Sequence, residues 1–278
     1  MPVVKLCIFL CSVSIALFAH DTIVDTSVQF LNFSHSIQKK EGKKYTLHLR
    51  HNRGSEHYHI AYEKSDTDTF QPPLPHDLEV DKLYLHYAHS FSSGQSLHMH
   101  YAVIEDNLAK ETDGGKIYGV GYRYRHFHFT QYLSDYRHFD VYQSDLLYKI
   151  YRKFSRGDLR MVFVAKYIHL VDKKSNNFSK NAKSDYFTPG INLHLQKSGF
   201  FGEVGAYFGK RVFAVMQNGF AVQHHAMEFT KSYMVGIGKV FKRYTIQLQY
   251  NYLKANELPL NNENVTVGNL TLRFVYRL

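Results

Sequence analysis

The stretch YTIQLQYNY, residues 244–252, decides the fold of this chain. Its even positions carry apolar or aromatic residues and its odd positions carry Thr, Gln, Gln and Asn, so two kinds of side chain fall on opposite faces of a strand. Helical spacing cannot produce such segregation over this length. The stretch NLTLRFVYRL, residues 269–278, repeats the pattern. Both segments are therefore predicted to be β-strands with one apolar face.

The same alternation continues back to about residue 22, without a convincing amphipathic helix or a domain linker. It predicts about 14 strands, or 12 if the weak seventh strand and one neighbour are dropped. The chain is therefore predicted to be all-β, a single antiparallel up-and-down β-barrel. The predicted spans are 24–36, 43–51, 56–63, 81–91, 96–105, 116–125, 127–133, 139–152, 158–170, 185–197, 200–211, 227–241, 244–254 and 265–278.

The connections between these strands alternate in length. Long ones are predicted at 64–80, 106–115, 171–184, 212–226 and 255–264, and short ones at 51–55, 92–95, 153–157, 198–199 and 242–243. The short connection at 134–138 is the one outlier. Long loops on one rim and short turns on the other are typical of transmembrane barrels. The alternative is a large soluble β-sandwich or barrel that buries its apolar face.

The N-terminus has the pattern of a secretory signal peptide. Lys5 precedes an apolar run from Leu6 to Ala19, which is too short for a good spanning helix. We expect residues 1–19 to be the signal peptide and 20–278 the barrel, with a retained N-terminal anchor as the alternative. Both cysteines, Cys7 and Cys11, lie in this segment, so the mature chain is expected to have neither disulfide nor thiolate site.

Composition excludes several classes of protein. The mean hydropathy of −0.35 excludes a bundle of membrane helices, and a hydrophobic content of 44% excludes a disordered chain. The chain has 22 Tyr, 21 Phe and 18 His but no Trp, and tyrosines at strand ends suit an aromatic girdle. The net charge of +10 is spread along the chain without a recognisable nucleic-acid module, so we expect no nucleic-acid partner.

Together these features resemble bacterial outer-membrane β-barrel proteins of the porin-like kind, without a signature of one family. The C-terminal strand resembles the signal that barrel-assembly machinery recognises, although it ends in Leu278 instead of Phe. The resemblance implies an outer-membrane location, contacts with outer-membrane lipids and lipopolysaccharide, and passive passage of small hydrophilic solutes. A non-conducting structural or adhesive barrel, or a lipid-modifying enzyme, are the alternatives.

No catalytic motif supports an enzyme. Neither a nucleophile elbow, nor a P-loop, nor a dinucleotide fingerprint occurs, and His224-His225 falls in a long loop where exposure is expected. The chain is therefore predicted not to be an enzyme and to need no cofactor.

Alternation assigns nine basic residues and four acidic ones to the inward face. We expect this excess to make the lumen positive and mildly anion-preferring. The alternative is that internal charges pair and brace the barrel. The basic residues are Arg50, Arg123, Arg125, Lys149, Arg160, Lys166, Arg211, Arg273 and Arg277, and the acidic ones are Glu63, Asp145, Asp158 and Glu203.

Nine histidines are also predicted to face inward, near the short turns. Three His-x-His pairs place two imidazoles on one face each, because i and i+2 share a strand face. Three roles remain open: polar wall, a pH gate, or binding of a transition metal such as Zn, Cu or Ni. The histidines are His48, His57, His59, His86, His98, His100, His126, His128 and His194.

Overall fold

The computed structural model describes residues 21–155, 157–172 and 181–278, apart from the side chain of Pro259. The predicted signal peptide, 1–19, lies outside these residues. Apart from two 3-10 turns, Gln217–Gly219 and Leu258–Leu260, the regular elements of these described residues are all β-strands. The strands are β1 Thr22–Ser34, β2 Lys39–Arg53, β3 Glu56–Thr69, β4 Leu78–Ser90, β5 Gln95–Asp106, β6 Lys116–Tyr124, β7 Phe127–Asp135, β8 Phe139–Phe154, β9 Gly157–Asp172, β10 Asp185–Lys197, β11 Phe200–Arg211, β12 Val215–Met216, β13 Ala221–Val222, β14 Met227–Val240, β15 Tyr244–Glu257 and β16 Asn262–Arg277.

Fourteen of these strands form one closed antiparallel barrel, and β12 and β13 form a small separate hairpin. The barrel closes where β1 pairs with β16, from Ile23 opposite Arg277 to Ser34 opposite Thr266. Closure leaves no sheet edge with unpaired backbone groups, as a hydrocarbon environment requires. The predicted single barrel of 14 strands is confirmed. Among the described residues, no helix has the length and apolar character needed to cross a bilayer.

The two rims of the barrel differ. One rim, here called the short-turn rim, carries the tight connections and both ends of the barrel chain, since β1 begins beside the end of β16. Ser198 and Gly199 form a two-residue hairpin turn at this rim. Their φ angles of +50° and +81° are positive, as such a turn requires. The opposite loop rim carries the longer connections.

The strands rise further at the loop rim than the sequence predicts. Residues 255–264 are not a long loop, because β15 runs to Glu257 and β16 starts at Asn262. Residues 64–80 shrink in the same way, since β3 reaches Thr69 and β4 starts at Leu78. Polar residues on both faces hide such extensions from a hydropathy pattern, yet the ladders continue.

The outward face is apolar, as predicted. On β15, Ile246 and Leu248 are 42% and 46% exposed, while the neighbouring Gln247 is only 6% exposed. Side chains that are this exposed and this apolar suit acyl chains, and the polar residues between them point into the barrel.

Residues 212–226, here called the lumen plug, fold back into the barrel from the loop rim. Val212, Phe213, Ala214 and Val215 are almost completely buried. They belong to one apolar core with inward side chains of the wall, including Val80, Ile104, Ile117, Val141 and Ile168. Part of the inward face in the loop half of the barrel is therefore apolar, which the predicted polar lining does not anticipate. These inward side chains are apolar because they pack against the plug and do not contact water.

Candidate functional site

The plug is bound to the barrel wall through its backbone. The side chain of Gln143 accepts from the Val215 N–H at 2.8 Å and donates to the Val215 carbonyl at 2.7 Å. The ammonium group of Lys166 donates to the same carbonyl at 3.1 Å and pairs with the buried Asp145. These bonds satisfy the edge of a short hairpin that has no other strand beside it.

A second attachment lies across the lumen. Lys82 donates to the Val222 carbonyl at 3.1 Å and pairs with Glu63 at 2.8 Å. Glu63 also pairs with Lys44 at 3.2 Å. A buried charge is tolerated only with partners, and the two lysines that bind the plug, Lys82 and Lys166, each have a buried carboxylate beside them.

The base of the plug is fixed by Asp106, His224 and His225, here called the plug latch. The Nε2 atoms of His224 and His225 donate to Asp106 Oδ2 at 2.8 and 2.9 Å. Asp106 Oδ1 accepts from the backbone of Leu108 and Ala109. His224 is 4% exposed, so the expectation that these histidines are exposed is wrong. The loop turns inward, and the carboxylate gives both imidazoles a buried partner.

Burial lowers the pKa of His224 to about 4, and the positive charge of Lys82 also lowers it. The hydrogen bond to Asp106 raises this pKa, but by less. Burial also lowers the pKa of His225 well below its ordinary value. Both imidazoles are therefore neutral in the latched state near neutral pH.

The latch has the residue types of a metal site, and its ligand atoms lie within 4.8 Å of one another. Its hydrogen bonds argue against that role. Lys39 has only donors and lies 2.9 Å from His225 Nδ1, so that nitrogen accepts and Nε2 carries the proton. A metal ion at Nε2 would have to remove this proton and the Lys39 bond together.

The tip of the plug reaches the histidines of the wall. The ring centroid of Phe220 lies 3.9 Å from that of His59 and 5.8 Å from that of His48. Gly219 passes beside His100 with a φ of +96°, and a Cβ there would lie 2.6 Å from His100 Nδ1. Only glycine meets both conditions without strain.

Six of the predicted histidines lie together on β2 to β5 and β7, and we call them the histidine band: His48, His59, His86, His98, His100 and His128. His59, His86 and His100 stand opposite one another on three successive strands. His48 Nδ1 and His59 Nε2 are 2.9 Å apart, and His86 Nε2 and His98 Nδ1 are 3.2 Å apart. In such a bond one nitrogen donates and the other accepts, so each pair keeps at least one neutral ring.

The other three predicted histidines lie elsewhere. His57 is on the inward face, bonded to Asn52 and Ser90. His194 is on β10, 3.8 Å from Glu203 and stacked on Phe201. His126 does not face the lumen. It forms the exposed two-residue turn between β6 and β7 with Arg125, whose φ is +52°.

The predicted basic residues divide into three groups. Arg50 and Arg273 both bind Asp25, and Lys166 binds Asp145. Arg211 is 1% exposed, donates to Ser232 and packs on the Tyr207 and Phe229 rings. Within the described residues, no carboxylate pairs with the remaining five.

Of those five, Arg125 and Arg277 are exposed at the short-turn rim, so the inward assignment is wrong for Arg125, because it sits in the turn. Arg123, Lys149 and Arg160 follow the inward alternation of β6, β8 and β9, and we call them the basic arc. Arg123 stands directly opposite His128, so the arc adjoins the histidine band.

The predicted acidic residues also divide. Glu63 and Asp145 are buried in the lysine pairs, Glu203 accepts from Gln247, and Asp158 is exposed. Sequence reasoning missed Asp25, although it alternates with Val24 and Thr26 as an inward residue does. It also missed Asp106 and Phe220, whose importance depends on where the plug folds, and no local pattern signals that position.

Comparison with known proteins gives the fold. No protein-family model matches the chain, and no curated protein matches it. A bacterial polysaccharide outer membrane secretin superposes with a TM-score of 0.59 at 6% identity, covering 93% of this chain and 99% of that one. The toluene transporter TbuX of Ralstonia pickettii has a TM-score of 0.54 at 9% identity, over 94% and 90% of the two chains.

The CymD monoaromatic hydrocarbon channel is similar to the same extent, with a TM-score of 0.54 at 9% identity over 97% and 92% of the two chains. These similarities, at identities below 10%, show that this chain shares the barrel fold of the three proteins. The expected resemblance to bacterial outer-membrane β-barrels, without assignment to one family, is confirmed at the level of the fold.

Proposed function

We propose that this chain is an outer-membrane channel for small hydrophilic solutes that the lumen plug holds closed and that prefers anions when the plug moves. The observation that carries the proposal is the division of the lumen. One half is filled by the chain's own loop, and the other is lined by imidazoles and unpaired cations. A barrel with a purely structural role has no need for an unpaired basic arc.

The way in which the plug is attached supports a gate. Its backbone is bound by side chains of the wall, Gln143, Lys166 and Lys82, and these can bind water once the plug leaves. The barrel ladders do not depend on those bonds, since each barrel strand pairs with two barrel neighbours. The plug can therefore move while the barrel stays intact.

The basic arc supports the preference for anions. Arg123, Lys149 and Arg160 lie on β6, β8 and β9 near the short-turn rim, without a carboxylate partner among the described residues. Asp25 neutralises only one of Arg50 and Arg273, which leaves a further positive charge. A narrow passage lined by one sign of charge concentrates the opposite ion.

Planar-bilayer recording tests the proposal. The protein is compared with a variant in which residues 216–221 are replaced by a Gly-Ser linker. We expect rare, small conductance steps from the unaltered protein and frequent, larger steps from the variant. In a KCl gradient, the reversal potential should indicate preference for chloride.

A cation-selective reversal potential would contradict the anion preference. Absence of steps from both proteins would instead favour the second candidate, a non-conducting structural barrel, which the many plug contacts also support. Both proteins must first migrate anomalously in gels unless boiled, as folded outer-membrane barrels do.

A further inference from the structure

We infer that the site now filled by Phe220 binds a small monocyclic aromatic carboxylate when the plug is withdrawn. Five rings surround Phe220 and are called the ring cage: His48, His59, Tyr84, His86 and His100. The inference rests on the proposed function, because the cage is free only when the plug leaves the lumen. In the closed state, Phe220 takes the place of the ligand.

The geometry of the cage selects a flat ring. His59 lies against Phe220 at 3.9 Å between centroids, with 30° between the planes. His86 and His100 approach at 5.7 and 6.5 Å, both with 74° between the planes. One partner against the face and two partners edge-on are the arrangements that aromatic rings prefer. A saturated ring has no π-face for these contacts.

The cage is more polar than the phenyl group that fills it. The Nε2 atom of His100 is buried and has no hydrogen-bond partner among the described residues, and His100 is 9% exposed. A buried polar atom without a partner is uncommon in a folded protein. Phe220 cannot satisfy it, whereas a ligand that carries oxygen beside its ring can.

Charge beside the cage selects an acid. Arg50 stands directly opposite His59 on the neighbouring strand. Its NH2 group is bound to Asp25, which Arg273 also binds, so two guanidinium groups share one carboxylate. The Nε atom of Arg50 is buried without a partner. A carboxylate on a ring held against His59 would therefore meet a positive charge with a donor to spare.

Binding of benzoate to the detergent-solubilised Phe220→Ala variant tests this inference by calorimetry. We expect the variant to bind at least about tenfold more tightly than the unaltered protein, in which the plug must first leave. Cyclohexanecarboxylate, with the charge but no aromatic ring, and benzyl alcohol, with the ring but no charge, should each bind about tenfold more weakly than benzoate.

Three further substitutions locate the ligand. In the Phe220→Ala background, Arg50→Gln should weaken benzoate binding, while Arg277→Gln, at an exposed rim position, should not. His59→Ala should weaken binding of benzoate more than that of cyclohexanecarboxylate. Equal binding of the two acids, or equal effects of Arg50→Gln and Arg277→Gln, would overturn the inference.

Calorimetry does not require conduction, so the two proposals can fail separately. Benzoate binding without conductance in any variant would refute the channel and keep the site. Conductance without benzoate binding to Phe220→Ala or to a second variant, Phe220→Leu, would keep the channel and refute the site. Each variant is included only if it shows the gel migration of a folded barrel.

Discussion

The two halves of the lumen are built from the same strands but hold different contents. In the loop half, inward residues such as Ile104 and Ile168 pack on the plug, and the lysines that bind it are paired with buried carboxylates. In the short-turn half, only the plug tip enters: Phe220 and Gly219 contact the histidine band, and the basic arc adjoins that band. In the proposed channel, contacts of the loop half would stabilise closure, and side chains of the short-turn half would select solutes.

The largest effect should come from breaking a buried pair in the loop half. Lys166→Ala leaves Asp145 buried without its partner and removes a bond to Val215. We expect a loss of about 3–5 kcal/mol in the free energy of unfolding, measured by urea titration in detergent. The control is Lys64→Ala, because Lys64 and Asp66 form an exposed pair at 3.9 Å, worth at most about 1 kcal/mol. Similar losses in the two variants would contradict the distinction.

Acid should weaken the plug latch next most strongly. His224 has a pKa of about 4 when latched and an ordinary value of 6.5 when released, so only the released state takes up a proton between these values. The latched state therefore loses about 1.4 kcal/mol per pH unit for this histidine as pH falls from 6.5. Asp106, Lys39 and Lys82 are the charged groups that act on it.

The measurement is the open fraction of the channel between pH 7 and pH 5. It should rise with acid in the unaltered protein and rise less in the His224→Gln, His225→Gln double variant. An identical pH dependence in both proteins would assign the effect to other histidines and refute the role of the latch.

A methyl group at the plug tip should have a smaller effect. Gly219→Ala adds a Cβ that meets His100 at 2.6 Å and strains a positive φ, so the closed state should lose about 1–3 kcal/mol. Gly94→Ala is the matched control, since its φ is +76° but nothing lies within 4 Å of the added atom. More frequent openings are expected for Gly219→Ala. If Gly94→Ala opens the channel equally, the tip does not seal it.

The smallest effect concerns ion preference. Arg123→Gln with Lys149→Gln should lower the chloride-to-potassium permeability ratio by about twofold, because other lumen cations remain. Arg125→Gln, in the exposed turn, should leave the ratio unchanged. Reversal potentials in a KCl gradient measure both, and equal shifts would show that the basic arc does not line the conducting path.

The alternation of polar and apolar residues is sufficient to predict the strands of the barrel wall. Residues 185–197 and 200–211 were predicted as strands with the limits that the structure has. Arg125 and His126 were misassigned because alternation carries no mark of the residue at which a two-residue turn begins. The alternation predicts a uniformly polar inward face, although Val162, Phe163 and Val164 are apolar on both faces of β9, which signals burial on both sides.

The sequence alone predicted about 14 strands, with 12 as the alternative, and it determined the apolar outward side and the rim that holds the short turns. Each strand that contacts lipid needs an apolar outward face and complete backbone pairing. The sequence of every strand therefore shows the alternating pattern. Only the tertiary structure decided that residues 212–226 enter the lumen, that Asp25 serves two arginines, and that Phe220 stands among imidazoles. Such contacts join residues far apart in the chain, as Asp25 and Arg273 are, and no local periodicity records them.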